Sequence, residues 1–120
     1  MNLSDVTTRL AAIPDILVLQ PDQMPWQQSL IQFIGSNPQF VQLYEPTTLA
    51  SDGALTTRLL TLDAVAASLE QSRALADSIR AVLEGTPREP SPYRLLRLTP
   101  LPLEGDVWRH QFNFEWRGAN

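Results

Sequence analysis

The stretch from Val107 to Arg117 alternates between aromatic and polar side chains with a period of two. One parity consists of Trp108, His110, Phe112, Phe114 and Trp116. Successive side chains of a strand point to opposite faces, so this pattern predicts a long strand with one aromatic and one polar face. Each large ring can bury roughly 150–250 Å², and we therefore expect the aromatic face to form the floor of the core.

The middle of the chain predicts a second long strand followed by a long helix. Residues 54–67 are rich in leucine and threonine, and apolar residues occupy both parities. This is typical of a strand covered on both faces, or covered on one face by a neighbouring subunit. Ser68 and Gln71 then form a capping box, and apolar residues recur at helical spacing until Gly85. The pattern predicts a helix over about 69–84.

The other predicted elements are shorter because prolines interrupt the chain. They are a helix from about Asp5 to Ala12 with Ser4 as N-cap, a strand at Ile16–Leu19, a helical stretch at Trp26–Ile34, a short strand around Phe40–Tyr44, a loop at Thr47–Gly53, and a strand at Tyr93–Thr99 that forms a hairpin with the last strand. These elements predict one α+β domain over residues 1–120. We expect a mainly antiparallel sheet with the helix at about 69–84 packed on one face, and one or two short helices in the N-terminal half.

Composition narrows the classes of protein that fit this chain. Its 120 residues contain no cysteine, which excludes disulfides, thiolate metal sites and cysteine nucleophiles. No apolar run reaches the roughly 18 residues of a membrane span, and the first residues lack the basic start of a signal peptide, so we expect a soluble cytosolic product. The net charge of −4 argues against a surface that binds nucleic acid.

Few residues are candidates for catalysis. His110 is the single histidine, and a packed ring with one nitrogen hydrogen-bonded is the simplest interpretation. The alternative is a small enzyme or ligand-binding domain that uses His110 with Asp63 or Glu115. The sequence has no glycine-rich phosphate loop and no nucleophile elbow. We therefore predict a protein without catalytic residues, cofactor or metal.

Four arginines are predicted to lie on the last two strands. They are Arg94, Arg97, Arg109 and Arg117. Clustered arginines can bind nucleic acid, but the acidic net charge favours a salt-bridged sheet face or a subunit interface.

The second half of the chain, from about Ala54 to Trp116, resembles a known family. A strand that ends in small residues leads through Ser68 into an alanine-rich helix, and a variable loop and an aromatic–polar hairpin follow. The most similar block is Thr61 to Gly85. This arrangement resembles the tail terminator (tail completion) proteins of long-tailed bacteriophages. The stretch from Pro21 to Pro46 has no counterpart in that pattern.

The resemblance implies a structural virion protein in the tail or neck, assembled in the host cytoplasm. Such proteins form a homo-oligomeric ring, usually a hexamer, at the head-proximal end of the tail tube. The ring ends polymerisation of the tail tube protein and provides the docking surface for the neck or head connector protein. DNA only passes through the lumen of the ring. The negative net charge of the protein is compatible with this passage, because a basic lumen would retain the phosphates of DNA. The alternative is another neck adaptor or a baseplate component.

Two exposed segments are candidates for contacts with a partner or a neighbouring subunit. They are the proline-stiffened loop Thr86–Pro92 and the turn Leu101–Asp106, with the adjoining strand between them. The predicted contact residues are Arg88, Glu89, Arg94, Arg97, Leu103 and Glu104. A stiff loop loses little entropy on binding, although a simple spacer would have the same sequence character.

Overall fold

The computed structural model describes residues 2–23, 39–101 and 107–119. In these ranges it contains two helices and six strands. Their order is α1 (Leu3–Leu10), β1 (Leu17–Leu19), β2 (Gln39–Leu43), β3 (Thr47–Asp52), β4 (Leu55–Ala66), α2 (Leu69–Glu84), β5 (Tyr93–Leu101) and β6 (Trp108–Ala119). The predicted helical stretch at Trp26–Ile34 lies outside the described residues.

All six strands belong to one sheet, and β4 is at its centre. The strand order is β1-β2-β4-β6-β5. Strand β4 has two partners on the same edge: β3 pairs with its first half, and β2 pairs with its second half. The β1–β2 pair is parallel, whereas the other neighbours are antiparallel. The longest ladder joins β4 to β6, from Leu55 opposite Ala119 to Ala66 opposite Trp108.

The fold-class prediction is wrong. An α+β domain was expected, mainly antiparallel, with one long helix packed on a face and one or two short N-terminal helices. Instead, about half of the described residues are in strands, the single sheet is mixed, and the two described helices include one of only eight residues. The physical reason is pairing between distant segments: β1 joins β2 in parallel, and residues 47–52 add a further strand.

The loop predicted at Thr47–Gly53 is also wrong, because Thr47–Asp52 forms β3. The segment has no alternation to reveal a strand, since all six of its residues are exposed. Its strand character comes from pairing with β4, and the turn that follows contains Gly53 at φ +55°. The first helix also begins earlier than predicted, at Leu3, because the side chain of Asn2 accepts a hydrogen bond from the Ser4 N–H at 2.7 Å.

The two long strands and the long helix lie where the sequence predicts them. Helix α2 begins after Ser68, whose hydroxyl accepts a hydrogen bond from the Gln71 N–H at 3.2 Å. It ends at Gly85, which has φ +74° and ψ −164°, a conformation that is essentially restricted to glycine. A Cβ at this position would lie 2.6 Å from the Glu89 carbonyl oxygen, so the close approach of the following loop also requires glycine.

The core is divided between the two faces of β4. The larger cluster contains residues from both helices together with one parity of β4 and β6. Its largest fully buried members from the strands and α2 are Leu43, Leu60, Leu62, Leu75, Ile79, Leu83, Phe112 and Phe114. The smaller cluster, on the other face, contains Leu19, Phe40, Val65 and Val107. Strand β4 is therefore apolar on both parities because each face belongs to a different cluster.

Candidate functional site

A polar cluster lies on the face of the sheet that also carries the smaller core cluster. We define the Asp63 cluster as Tyr44, Asp63, Arg109 and Gln111. Asp63 lies on β4 directly opposite Gln111 of β6, and Arg109 follows two positions away on the same face. Tyr44 comes from the segment after β2. The long β4–β6 ladder therefore sets the positions of three of the four side chains.

The Asp63 carboxylate is buried, at 2% exposure, and it accepts four hydrogen bonds. Its Oδ2 accepts from the Arg109 Nη2 at 2.6 Å, from the Arg109 Nε at 3.0 Å and from the Tyr44 hydroxyl at 2.5 Å. Its Oδ1 accepts from the Gln111 Nε2 at 3.1 Å. Both oxygens of the Asp63 carboxylate are therefore engaged by side chains of the same cluster, with most of the hydrogen bonds on Oδ2.

The environment of Tyr44 agrees with a structural role for this cluster. Burial, together with the hydrogen bond to the Asp63 carboxylate, raises the pKa of Tyr44 to about 12. The phenol is therefore a neutral hydrogen-bond donor at physiological pH. The Arg109 guanidinium balances the charge of Asp63, and together these contacts join β4, β6 and the end of β2.

The histidine is partly buried and hydrogen-bonded, as the sequence predicts. The Nδ1 of His110 lies 2.6 Å from the hydroxyl of Ser72, which is fully buried on α2; either atom can be the donor, depending on the tautomer. Burial, and then the positive charge of Arg73, lower the pKa of His110 below its ordinary value of 6.5. The neutral imidazole is therefore the form that the folded protein favours.

We predict that the His110 imidazole makes stability depend on pH. The folded state lowers the pKa of His110. Its contribution to the free energy of unfolding is therefore complete above about pH 6.5, and it is lost as the pH falls through the lower pKa of the folded state. His110→Asn should therefore lose less stability than the wild type between about pH 7.5 and about pH 5. Urea denaturation across this range measures the difference, and Ser72→Ala, which retains the imidazole, is the control. Equal pH slopes for His110→Asn and the wild type would contradict the prediction.

The residues of the enzyme hypothesis do not come together. Ala64 pairs with His110, and Asp63 pairs with Gln111, so His110 and Asp63 point to opposite faces of the sheet. Glu115 is also on the parity opposite to His110. It forms ion pairs with Arg94 at 3.3 Å and with Arg117 at 3.5 Å. Neither proposed pair can therefore act as a catalytic dyad.

The arginines on the last two strands are mostly part of a salt-bridged sheet. Arg109 pairs with Asp63, whereas Arg94 and Arg117 share Glu115. Arg97 is exposed and makes no ion pair with the described residues. The sequence predicts that these arginines form salt bridges or a subunit interface. It does not predict their individual partners, which depend on the register between β4, β5 and β6.

The predicted contact residues are placed as follows. Arg88 and Glu89 are exposed in the loop between α2 and β5, and Arg94 and Arg97 are exposed on β5. The loop is held by two hydrogen bonds between Thr86 and Glu89, with donor–acceptor distances of 3.0 and 3.1 Å. Leu103 and Glu104 lie outside the described residues, and the role of all six as contacts stays a prediction.

The described ranges contain neither a metal-binding cluster nor a membrane-spanning helix. No group of three or more histidine, aspartate or glutamate side chains is arranged to hold a metal ion in residues 2–23, 39–101 and 107–119. In the same part of the chain, no helix is both long enough and apolar enough to cross a membrane.

Comparison with known proteins shows a likeness in fold. No family model and no curated protein sequence matches the chain. A solved structure described as the virion of a native gene transfer agent (GTA) particle contains a similar chain, with a TM-score of 0.59 and 19% sequence identity. The match covers 96% of this chain and 92% of that chain. The protein therefore shares its fold, over nearly its whole length, with a chain of a gene transfer agent virion.

Proposed function

We propose that this protein is a structural component of a phage-like virion. The observation that carries the proposal is the shared fold with a chain of a gene transfer agent virion, because the match extends over nearly all of both chains. The Asp63 cluster is consistent with this role, since its hydrogen bonds join β4 to β6 and to the segment after β2. The separation of His110 from Asp63 and Glu115 removes the residue pairs on which the enzyme alternative depended.

Within the virion, the proposed role is that of a tail terminator. The support is the resemblance of the block from Thr61 to Gly85 to that family. In this role, copies of the protein form a ring, in the family usually a hexamer, at the head-proximal end of the tail tube. The ring ends polymerisation of the tube protein and provides the docking surface for the neck or connector protein. The acidic net charge of −4 suits a lumen through which DNA passes without being retained.

Deletion of the gene in the phage or particle-producing cell tests this role directly. We expect tails of irregular length, or tails that are not joined to heads, and a plasmid copy of the gene should restore normal particles. The measurement is electron microscopy of tail lengths and of the fraction of heads that carry tails. Mass spectrometry of purified wild-type particles tests, separately, whether the protein is part of the virion.

The outcomes of this experiment separate the neighbouring roles. Tails of normal length that fail to join heads would indicate a neck adaptor rather than a terminator. Loss of the tube itself would indicate a baseplate component. Normal particles in normal numbers, together with absence of the protein from those particles, would contradict a virion role altogether.

A further inference from the structure

Among the described strands, β1, β3 and β5 each have a single neighbour in the sheet. Two of these edge strands border the central β4–β6 pair, on opposite sides: β3 pairs with β4, and β5 pairs with β6. An edge strand presents backbone N–H and C=O groups that its single neighbour does not use. Proteins commonly protect such edges with bulges, prolines or charged side chains.

Strands β3 and β5 both contain a bulge, and the extra residue in each bulge is a leucine. The register of β3 shifts between Thr48 and Ala50, which leaves Leu49 as the extra residue, and Leu49 is 51% exposed. The register of β5 shifts between Leu95 and Arg97, which leaves Leu96, and Leu96 is 46% exposed. A bulge re-aims its extra side chain. Protection of an edge would favour a polar residue there, whereas two exposed leucines favour contact with another apolar surface.

The two remaining large exposed apolar side chains in the described part of the chain lie on β4 and β5. They are Leu55, across the hairpin from β3, and Leu98 on β5. Leu96 and Leu98 therefore lie on the β5 edge and Leu49 on the β3 edge, whereas Leu55 belongs to the interior strand β4 and pairs with Asp52 of β3. Scattered apolar residues are ordinary on a protein surface, but concentration at two sheet edges is typical of interaction sites.

The charges at the two edges are opposite in sign. Asp52 is the single charged residue of β3, and Glu45 precedes the strand; both are exposed. Strand β5 contains two charged residues, Arg94 and Arg97, and both are exposed. Arg94 keeps most of its side chain accessible, at 71%, despite its ion pair with Glu115. Arg58 and Arg117 are close to the acidic side, but they belong to the interior strands β4 and β6, and Arg117 is paired with Glu115.

We infer that these edges bind each other between copies of the chain. The acidic edge, defined as Glu45, Leu49 and Asp52, contacts the basic edge, defined as Arg94, Leu96 and Arg97, of a second copy. The leucines of the two bulges supply the apolar contact, and the flanking charges attract. Contact between two like edges would place acids against acids or arginines against arginines, which costs free energy and so selects the head-to-tail arrangement.

A head-to-tail contact of this kind repeats. Each copy that uses its basic edge still has a free acidic edge, so copies add until they close into a ring or continue as a filament. The inference deepens the proposed function and rests on it for the ring, because it names the edges through which the copies meet; the contact itself requires no other virion component. It can therefore be tested with the purified protein, whatever the result of the gene deletion.

The chain contains no cysteine, so introduced thiols can report the contact without background. The test protein is the double variant Leu49→Cys/Leu96→Cys, treated with a short bismaleimide and analysed by denaturing gel electrophoresis. We expect a ladder of covalent oligomers. Leu49→Cys alone and Leu96→Cys alone should remain monomeric, whereas an equimolar mixture of the two single variants should give dimers and nothing larger.

Other patterns of cross-linking would overturn the inference. Absence of a ladder from the double variant, together with a wild-type protein that stays monomeric in analytical ultracentrifugation at concentrations up to its solubility, would show that the edges do not meet. Dimers formed by one single variant as efficiently as by the mixture would indicate a symmetric contact between like edges. Neither result would bear on the presence of the protein in virions, which mass spectrometry of particles decides.

Charge reversal in the double-cysteine protein tests the proposed complementarity. Glu45→Arg/Asp52→Arg and Arg94→Glu/Arg97→Glu should each reduce the cross-linked yield by at least about tenfold, because like charges then face each other. Mixing the two reversed proteins should restore the ladder, since the copies can then alternate with opposite charges at every contact. The control Arg80→Glu/Glu84→Arg changes two charges on α2 and should leave the yield unchanged. Failure of the mixture to restore the ladder, with both proteins folded by circular dichroism, would overturn the charge pairing.

Discussion

Replacement of Phe112 by alanine is expected to lower the free energy of unfolding by about 3–5 kcal/mol. The ring of Phe112 is fully buried in the larger core cluster and stacks on Phe114 with 5.8 Å between the ring centroids. It lies on β6 between Leu62 of β4 and Leu98 of β5, so its removal leaves a cavity in the middle of the sheet. Denaturation in urea or guanidinium, followed by circular dichroism, measures the loss.

Two further variants give this measurement its controls. Phe112→Leu keeps most of the volume and should cost less than about 1.5 kcal/mol. Trp108→Ala, for which the sequence pattern predicts the same loss as for Phe112, should cost less than Phe112→Ala because Trp108 is only partly buried. A loss below about 1 kcal/mol for Phe112→Ala would show that the aromatic face is not part of the core of the isolated subunit.

Asp63→Ala is expected to destabilise the protein by about 3–5 kcal/mol, the range typical when one partner of a buried ion pair is removed. The change leaves the Arg109 guanidinium, whose side chain is only 26% exposed, without its carboxylate. It also removes the acceptor of the Tyr44 hydroxyl and of the Gln111 amide. The measurement is again equilibrium denaturation, at neutral pH and moderate salt.

The matched control for Asp63 is the other carboxylate of the polar face, Glu115. Glu115 is itself 17% exposed, but its partners Arg94 and Arg117 are 71% and 66% exposed and remain solvated without it, so Glu115→Ala should cost no more than about 1 kcal/mol. Asp63→Ala combined with Arg109→Leu should recover part of the loss, because the unpaired buried charge is then absent. Equal losses for Asp63→Ala and Glu115→Ala would contradict the structural role of the Asp63 cluster.

The elements that the sequence predicts correctly are those with a strong period of their own. The alternation from Trp108 to Trp116 requires one face to be buried, and the structure places Phe112 and Phe114 in the core. The capping Ser68 and the terminating Gly85 define α2 without reference to any other segment. Local physical preferences are sufficient in both cases.

The features that the sequence misses depend on contacts between distant segments. Strand β3 has no buried parity, so only its pairing with β4 makes it a strand. The parallel β1–β2 pair joins two separate segments, and the apolar run at Ile16–Leu19 does not encode which segment it pairs with. Pairing of Asp63 with an arginine is a reasonable expectation from residue type, but the choice of Arg109 depends on the register of the β4–β6 ladder.

The β4–β6 ladder also has a consequence for synthesis of the protein on the ribosome. Strand β6 is the last of the described elements to be synthesised, yet it pairs with β4 along the whole length of that strand. Until β6 has emerged, β4 has one edge unpaired, and Leu60 and Leu62 lack Phe112 and Phe114 as neighbours. Unpaired edges and exposed apolar side chains promote aggregation of nascent chains, so the chain is most vulnerable to aggregation shortly before β6 is complete.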